Sequence, residues 1–300
     1  MIELQSGQNT IGILPETGAA IAFWRDGATD ILVPVPDPNL EAQHGVAVAG
    51  YPLIPYSNRI AQGQFSFNEG NYRLTPNMRG ETHSIHGNAW EHEWKVAQHD
   101  VNRAILYFDH KPETERDFAE WPFPYRAVLS FILTGDALQI EILLANRGDV
   151  PQPVGFGYHP FFRRTPDMRV AFSARGVWEN DAAHLPTALL PSTGKWDFSK
   201  AQRVDTLNVD HCFAGWAHEA RLSYSDAGYD VVISATSIFD HIVMFTSPEK
   251  PFLALEAVTN MNDAIHHPEV LDAGLTILKP GDALSGTITY HIDRNMARAS

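Results

Sequence analysis

The segment YRAVLSFILTGDALQIEILLAN, residues 125–146, constrains the fold more than any other part of the chain. Leu138, Ile140, Ile142 and Leu144 alternate with Gln139 and Glu141, a period of two that turns one face of an extended strand to a core and the other to polar surroundings. Turn residues TGDA separate this run from the apolar run before it, so the segment reads as a β-hairpin. The same pattern recurs in ARLSYSDAGYDVVISATS around Asp226 to Gly228, and in GQFSFNEGNYRLTP around Asn68 to Gly70. Helical periodicity is scarce. Its best candidate, Glu113 to Glu120, is short and polar and is stopped by Pro122. The expected class is therefore all-β, a large antiparallel β-sandwich with few short helices.

Three hundred residues would fill two average domains, but the 21 glycines and 20 prolines are spread along the chain and no low-complexity run or fixed-period repeat divides it. Residues 1–300 are expected to form one domain. A formal charge of −14 opposes nucleic acid and acidic membrane surfaces as partners, whereas a neutral small molecule meets no long-range barrier. No apolar run reaches the roughly eighteen residues of a membrane span, and MIELQSGQNTIGIL lacks the basic flank of a secretory signal. A cytoplasmic location is the expectation. The single cysteine, Cys212, leaves no intramolecular disulfide, CxxC pair or Cys-rich zinc site.

Four short segments put polar residues where an apolar strand or a tight turn would be ordinary: PYSNRI with Asn58 and Arg59, SIHG with His86, GYHPFF with His159, and LALEAV with Glu256. A lone carboxylate inside an apolar strand is costly to ionise, so Glu256 needs donors, an ion-pair partner or a chemical role. His159 reads equally as a hydrogen-bonded core histidine or as a proton-transfer group, and Arg59 as a solvated cation or as a ligand. His83, His86 and His92, with Glu91 and Glu93 among them, raise a metal site. Their spacing argues against one, because residues three apart on a strand face opposite sides. IHHP at 265–268 reads as a turn before Pro268.

Taken in order, PYSNRI, the F-x-F-x-x-x-x-Y-x-L run from Phe65 to Leu74, SIHG followed by Trp94, GYHPFF, VDHCF, LALEAVTNMNDA and LKPGDALSGTITYHI resemble the aldose 1-epimerase (galactose mutarotase) family. The match runs from about residue 50 to residue 292. This resemblance implies a galactose mutarotase-like supersandwich, an open sugar cleft and no cofactor or metal. It further implies an aldose as the small-molecule partner, bound by a monomer or homodimer. Carried over by position, Glu256 matches the family's base and His159 its acid, while Arg59, His86 and Asp210 match sugar-binding residues, with Asn58 beside them. Opening a pyranose hemiacetal takes a proton from the anomeric hydroxyl while the ring oxygen gains one, which a carboxylate and an imidazolium can do together. At their ordinary values Glu starts ionised and His can hold a proton, so His159 is expected to govern the alkaline limb of a bell-shaped profile. Better-known galactose mutarotases carry a His-Thr-Tyr-Phe type segment for HPFF, a second glycine for Asn88 and a glutamine for Val243. These differences leave the sugar open among hexoses, pentoses and deoxy sugars. A non-catalytic sugar-binding protein and a hexose-6-phosphate mutarotase are the alternatives.

Overall fold

The computed structural model describes residues 1–34 and 48–294, and an antiparallel network of eighteen strands dominates it. All three expected hairpins form: Tyr125–Leu133 pairs with Ala137–Asn146, Val209–Tyr224 with Tyr229–Ala235, and Gln64–Phe67 with Gly70–Arg73. The helical candidate is an α-helix from Glu115 to Glu120. It begins two residues later than the sequence suggests because Thr114 caps it. Thr114 Oγ1 accepts from the Asp117 amide, while the Asp117 carboxylate accepts from the Thr114 amide.

The fold is a large antiparallel sandwich of the galactose mutarotase-like kind. Its main core lies between layers, and ring contacts such as Phe131 with Tyr158 and Phe162 with Tyr290 join strands that share no ladder. Burying each such aromatic contributes about 1.5–3 kcal/mol, which is where a chain without disulfides finds its stability. The long strand Val209–Tyr224 links the layers. Val209 to Ala214 pair with His241–Thr246, Glu219 to Tyr224 pair with Tyr229–Ala235, and between them Gly215 and His218 take φ of 63° and 60°. Left-handed residues bend the strand there, so its halves join different neighbours.

Four adjacent strands, Gly50–Leu53, Gly157–Arg163, Phe252–Val258 and His241–Thr246, are buried along nearly their whole length. Glu256 thus sits in an interior strand. Strict alternation sorts their side chains. Tyr158, Phe162, Leu253, Leu255, Ile242 and Met244 enter the main core, whereas Tyr51, Phe161, Ala254, Val258 and Val243 join a smaller cluster on the other face. Tyr51 is the register partner of His159, and Glu256 that of Val243, which in turn faces Cys212. The pairs Gly157 with Val258 and Phe161 with Ala254 set His159 level with Glu256. Tyr51, His159, Glu256, Val243 and Cys212 therefore form one row across five strands.

Candidate active site

On that second face lies a cavity of about 260 Å³ lined by Asn58, Arg59, His86, His159, Asp210 and Glu256. Every residue that the resemblance assigns to the site lines it. Tyr51, His159, Glu256 and Val243 of the row just described form its floor, where His159 Nε2 is 3.2 Å from Glu256 Oε1, with His159 7% exposed and Glu256 2%. His159 Nδ1 and Glu256 Oε2 are buried without a hydrogen-bond partner among the other described residues. Buried polar groups are usually satisfied. Here two unsatisfied atoms belong to one pair beside a cavity.

Burial governs how this pair titrates. It pushes the Glu256 carboxyl well above its ordinary value, with Asp210 adding to the rise and Arg59 opposing it, and it pushes the His159 imidazole down to about 3. Their mutual contact acts the other way, since an ion pair at 3.2 Å favours both charges. The two therefore share one proton between two arrangements, carboxylic acid beside imidazole or carboxylate beside imidazolium. This differs from the sequence-based expectation that each group starts charged, and the cause is the burial of both.

The loop before the Arg59–Ile60 strand and the turn after Ser84–Ile85 supply the opposite wall. Asn58 and His86 both take left-handed backbone, φ 64° and 63°, and hold each other there. The His86 amide donates to Asn58 O at 2.9 Å, and the Asn58 amide donates to His86 Nδ1 at 3.2 Å. Strain of this kind persists where surroundings over-determine it. Because Nδ1 accepts, the neutral His86 ring carries its proton on Nε2. Burial first, then the charges of His159 and Arg59, push His86 well below its usual value and keep it a neutral donor. Gly87 explains the G of SIHG: with φ 67°, a Cβ there would come 2.0 Å from Ile54 O.

Arg59 is clamped rather than solvated. Nη2 donates to Glu81 Oε1 at 2.8 Å and Nη1 to Asn58 Oδ1 at 3.2 Å. Asp210 stands at the margin with Oδ2 3.2 Å from His184 Nδ1. Sequence reasoning missed Tyr51, Glu81, Lys250 and the aromatic wall of Phe161, Phe245 and Phe252. The wall was legible in principle, because 161, 245 and 252 alternate in phase with the site residues. Glu81 was not, since it lies in a loop with no pattern. The other histidines are spent elsewhere. The Gln62 amide donates to His83 Nδ1 and His92 Nε2 meets Glu120 Oε2 at 2.6 Å, so these two do not converge with His86. Arg164, close to His159 in sequence and the kind of cation a sugar phosphate would need, donates to the carbonyls of Ser247, Val204 and Asp205.

A large antiparallel sandwich of this topology is the galactose mutarotase-like fold. The chain belongs to the aldose 1-epimerase family, whose model matches residues 1–291. It is 26% identical to the Escherichia coli K12 protein YphB, described as uncharacterized, over 97% of this chain and 98% of that one. A crystal structure from the same organism superposes with a TM-score of 0.87 at 24% identity, covering 97% of this chain and 98% of the other. A galactose mutarotase-like protein of Clostridium acetobutylicum superposes with a TM-score of 0.85 at 21% identity, over 97% and 94% of the two chains. Among the described residues no helix is long and apolar enough to cross a membrane.

Proposed function

We propose that the protein interconverts the α and β anomers of a neutral aldose, with Glu256 as base and His159 as acid. The observation that carries this reading is the buried 3.2 Å contact between His159 Nε2 and Glu256 Oε1 on the floor of the cavity. In the reactive arrangement Glu256 is a carboxylate and His159 an imidazolium. Glu256 takes the proton of the anomeric hydroxyl, His159 gives one to the ring oxygen, the bond from C1 to that oxygen breaks, and the C1 carbonyl forms. The pair is left as carboxylic acid and imidazole. Rotation about C1–C2 and the reverse transfers close the ring on its other face. Both arrangements hold one proton, so the resting and reacting pairs differ only in where it sits. Burial that disfavours both charges therefore costs the reaction little once the sugar's oxygens supply hydrogen bonds in place of water.

Arg59, neutral His86, Asn58 and Asp210 bind sugar hydroxyls in this reading, and the aromatic wall covers the apolar faces of the ring. About 260 Å³ is the room of roughly nine waters at ~30 Å³ each, suited to one monosaccharide. Three carboxyl groups line the cavity, those of Glu81, Asp210 and Glu256, against two cations, Arg59 and Lys250. That balance favours a neutral substrate over a phosphate. Freshly dissolved single anomers of pentoses, hexoses and hexose 6-phosphates, followed by polarimetry, test the reading. Acceleration over buffer with neutral sugars is expected. Binding of sugars with no acceleration identifies a non-catalytic sugar-binding protein, and a marked preference for the phosphates overturns the assignment of a neutral substrate.

A further inference from the structure

We propose that Tyr51 is a positioning residue for His159, its ring face fixing the plane of the imidazole against Glu256 and favouring the imidazolium form. This inference rests on the acid role of His159 given above. A working histidine is commonly oriented by a hydrogen bond on the nitrogen that does not react. His159 has none from another described residue, because Nδ1 is buried with no partner beyond its own backbone. What holds the ring must therefore be packing.

Three aromatic rings surround the imidazole, and they are not equivalent. Phe161 lies at a centroid distance of 4.5 Å but tilted by 39°, and His86 meets it edge-on at 5.6 Å and 85°. Tyr51 alone is nearly parallel, at 4.8 Å and 18°. Its placement is built in, since Tyr51 and His159 are direct register partners on neighbouring strands, so their side chains rise from the same face side by side. Tyr51 is itself held by Trp90 at 5.6 Å and by the edge of His86 at 5.9 Å. A ring so fixed leaves the imidazole little freedom to rotate out of line with Glu256.

The electrostatic consequence has the same sign as the mechanical one. The face of an aromatic ring attracts a cation placed over it. Loss of the Tyr51 ring should therefore make His159 harder to protonate. Around His159 the other charged and titratable groups are Glu256 from the Phe252–Val258 strand and His86 from the turn after Ser84–Ile85, with Arg59 and Asp210 acting on that pair from further off. None of them is altered by replacing Tyr51 with a residue of similar bulk.

The test compares Tyr51→Leu, Tyr51→Met and Tyr51→Phe in the full chain, reading anomer exchange by NMR and the titration of the His159 ring by its nitrogen resonances. In the leucine variant kcat is expected to fall about 10- to 100-fold with KM changed less than about threefold, the pattern of a misplaced acid. Its His159 titration should move down by about 0.5–1 pH unit. Phenylalanine, which keeps the ring face, should restore kcat to within about threefold and return the titration to its wild-type position. Should the leucine variant not fold, methionine keeps the bulk without a ring and carries the same expectation. Wild-type kcat and an unmoved titration in leucine or methionine overturn the proposal. So does a phenylalanine variant as impaired as leucine, which would assign the role to the hydroxyl. If the wild-type protein anomerises no aldose, the functional reading falls, yet the titration still decides whether Tyr51 tunes His159.

Discussion

His110 and His159 are both buried histidines in the same molecule, 4% and 7% exposed, but their hydrogen bonding differs. His110 has a partner on each nitrogen: Asn88 Nδ2 donates to Nδ1 at 3.1 Å, and Nε2 donates to Trp121 O at 2.6 Å. Asn88 is completed in turn by the Tyr125 hydroxyl, which donates to Oδ1 at 2.6 Å. Burial lowers the His110 pKa, so this ring is a neutral, fully engaged strut. His159 has one nitrogen on a carboxyl group and the other on no other described residue. Burial by itself therefore does not mark a working histidine. On the proposed reading, what marks one is unmet hydrogen-bonding capacity beside a cavity.

The largest expected effect comes from breaking the unsatisfied pair. Glu256→Gln and His159→Asn should each lower kcat/KM by about 10²- to 10⁴-fold while leaving far-ultraviolet circular dichroism unchanged. Their pH profiles separate the two roles. Because the pair works while it holds one proton, the acidic limb is the step that adds a second proton, to the depressed His159, and the alkaline limb is the step that removes the last, from the raised Glu256. The wild-type bell should thus extend on its acid side below the ordinary carboxyl value of about 4.3, toward the depressed His159. Residual activity of His159→Asn should lose the acidic limb, and that of Glu256→Gln the alkaline one. A wild-type profile confined between about pH 4.3 and 6.5, the ordinary values, would show that burial does not control the pair.

The satisfied cluster should answer in stability alone. Tyr125→Phe leaves Asn88 Oδ1 buried with one donor fewer, at a cost of about 1–2 kcal/mol. For a chain of this size that is a fall in Tm of a few degrees, with kcat unchanged. If Tyr125→Phe instead lowered kcat tenfold at unchanged Tm, the division between strut and working pair would be wrong.

Much of this architecture was legible in the sequence because period-two alternation carries both fold and site. The hairpin at 125–146 and the lone Glu256 among Leu253, Ala254, Leu255 and Ala257 follow from the same rule. The sequence also presented His159 in an apolar run. It could not show that Tyr51, over a hundred positions earlier, is its register partner, because pairing between distant strands leaves no local trace. Nor could it show that Arg164 is spent on carbonyls. Nor could it show how deeply the pair is buried: ordinary pKa values assume exposure to water, and only packing shows how far burial shifts each group.

Between the strut and the working pair stands Arg59, which is satisfied and yet faces the cavity, and it gives the smallest effect. Its guanidinium holds Glu81 through Nη2 at 2.8 Å, with Nε at 3.4 Å from the second carboxylate oxygen. Burial alone would raise the Glu81 carboxyl, but the hydrogen bond and charge of Arg59 outweigh it and hold it below its ordinary value. A depressed carboxyl contributes stability that is complete above its unfolded value and is lost as pH falls through the folded one. The clamp should accordingly be intact from about pH 5 upward and loosen only below about pH 4.3. Glu81→Gln keeps a hydrogen-bond acceptor while removing the charge, so Arg59 gains freedom without losing its reach to the sugar. The expected result is a KM raised about two- to fivefold at neutral pH with kcat within twofold of wild type, read from anomer exchange at several sugar concentrations. An unchanged KM would mean that Asn58 alone aims Arg59. A loss of kcat beyond tenfold would place Arg59 among the groups that act on the transition state, and would move it from the satisfied side of the comparison to the working one.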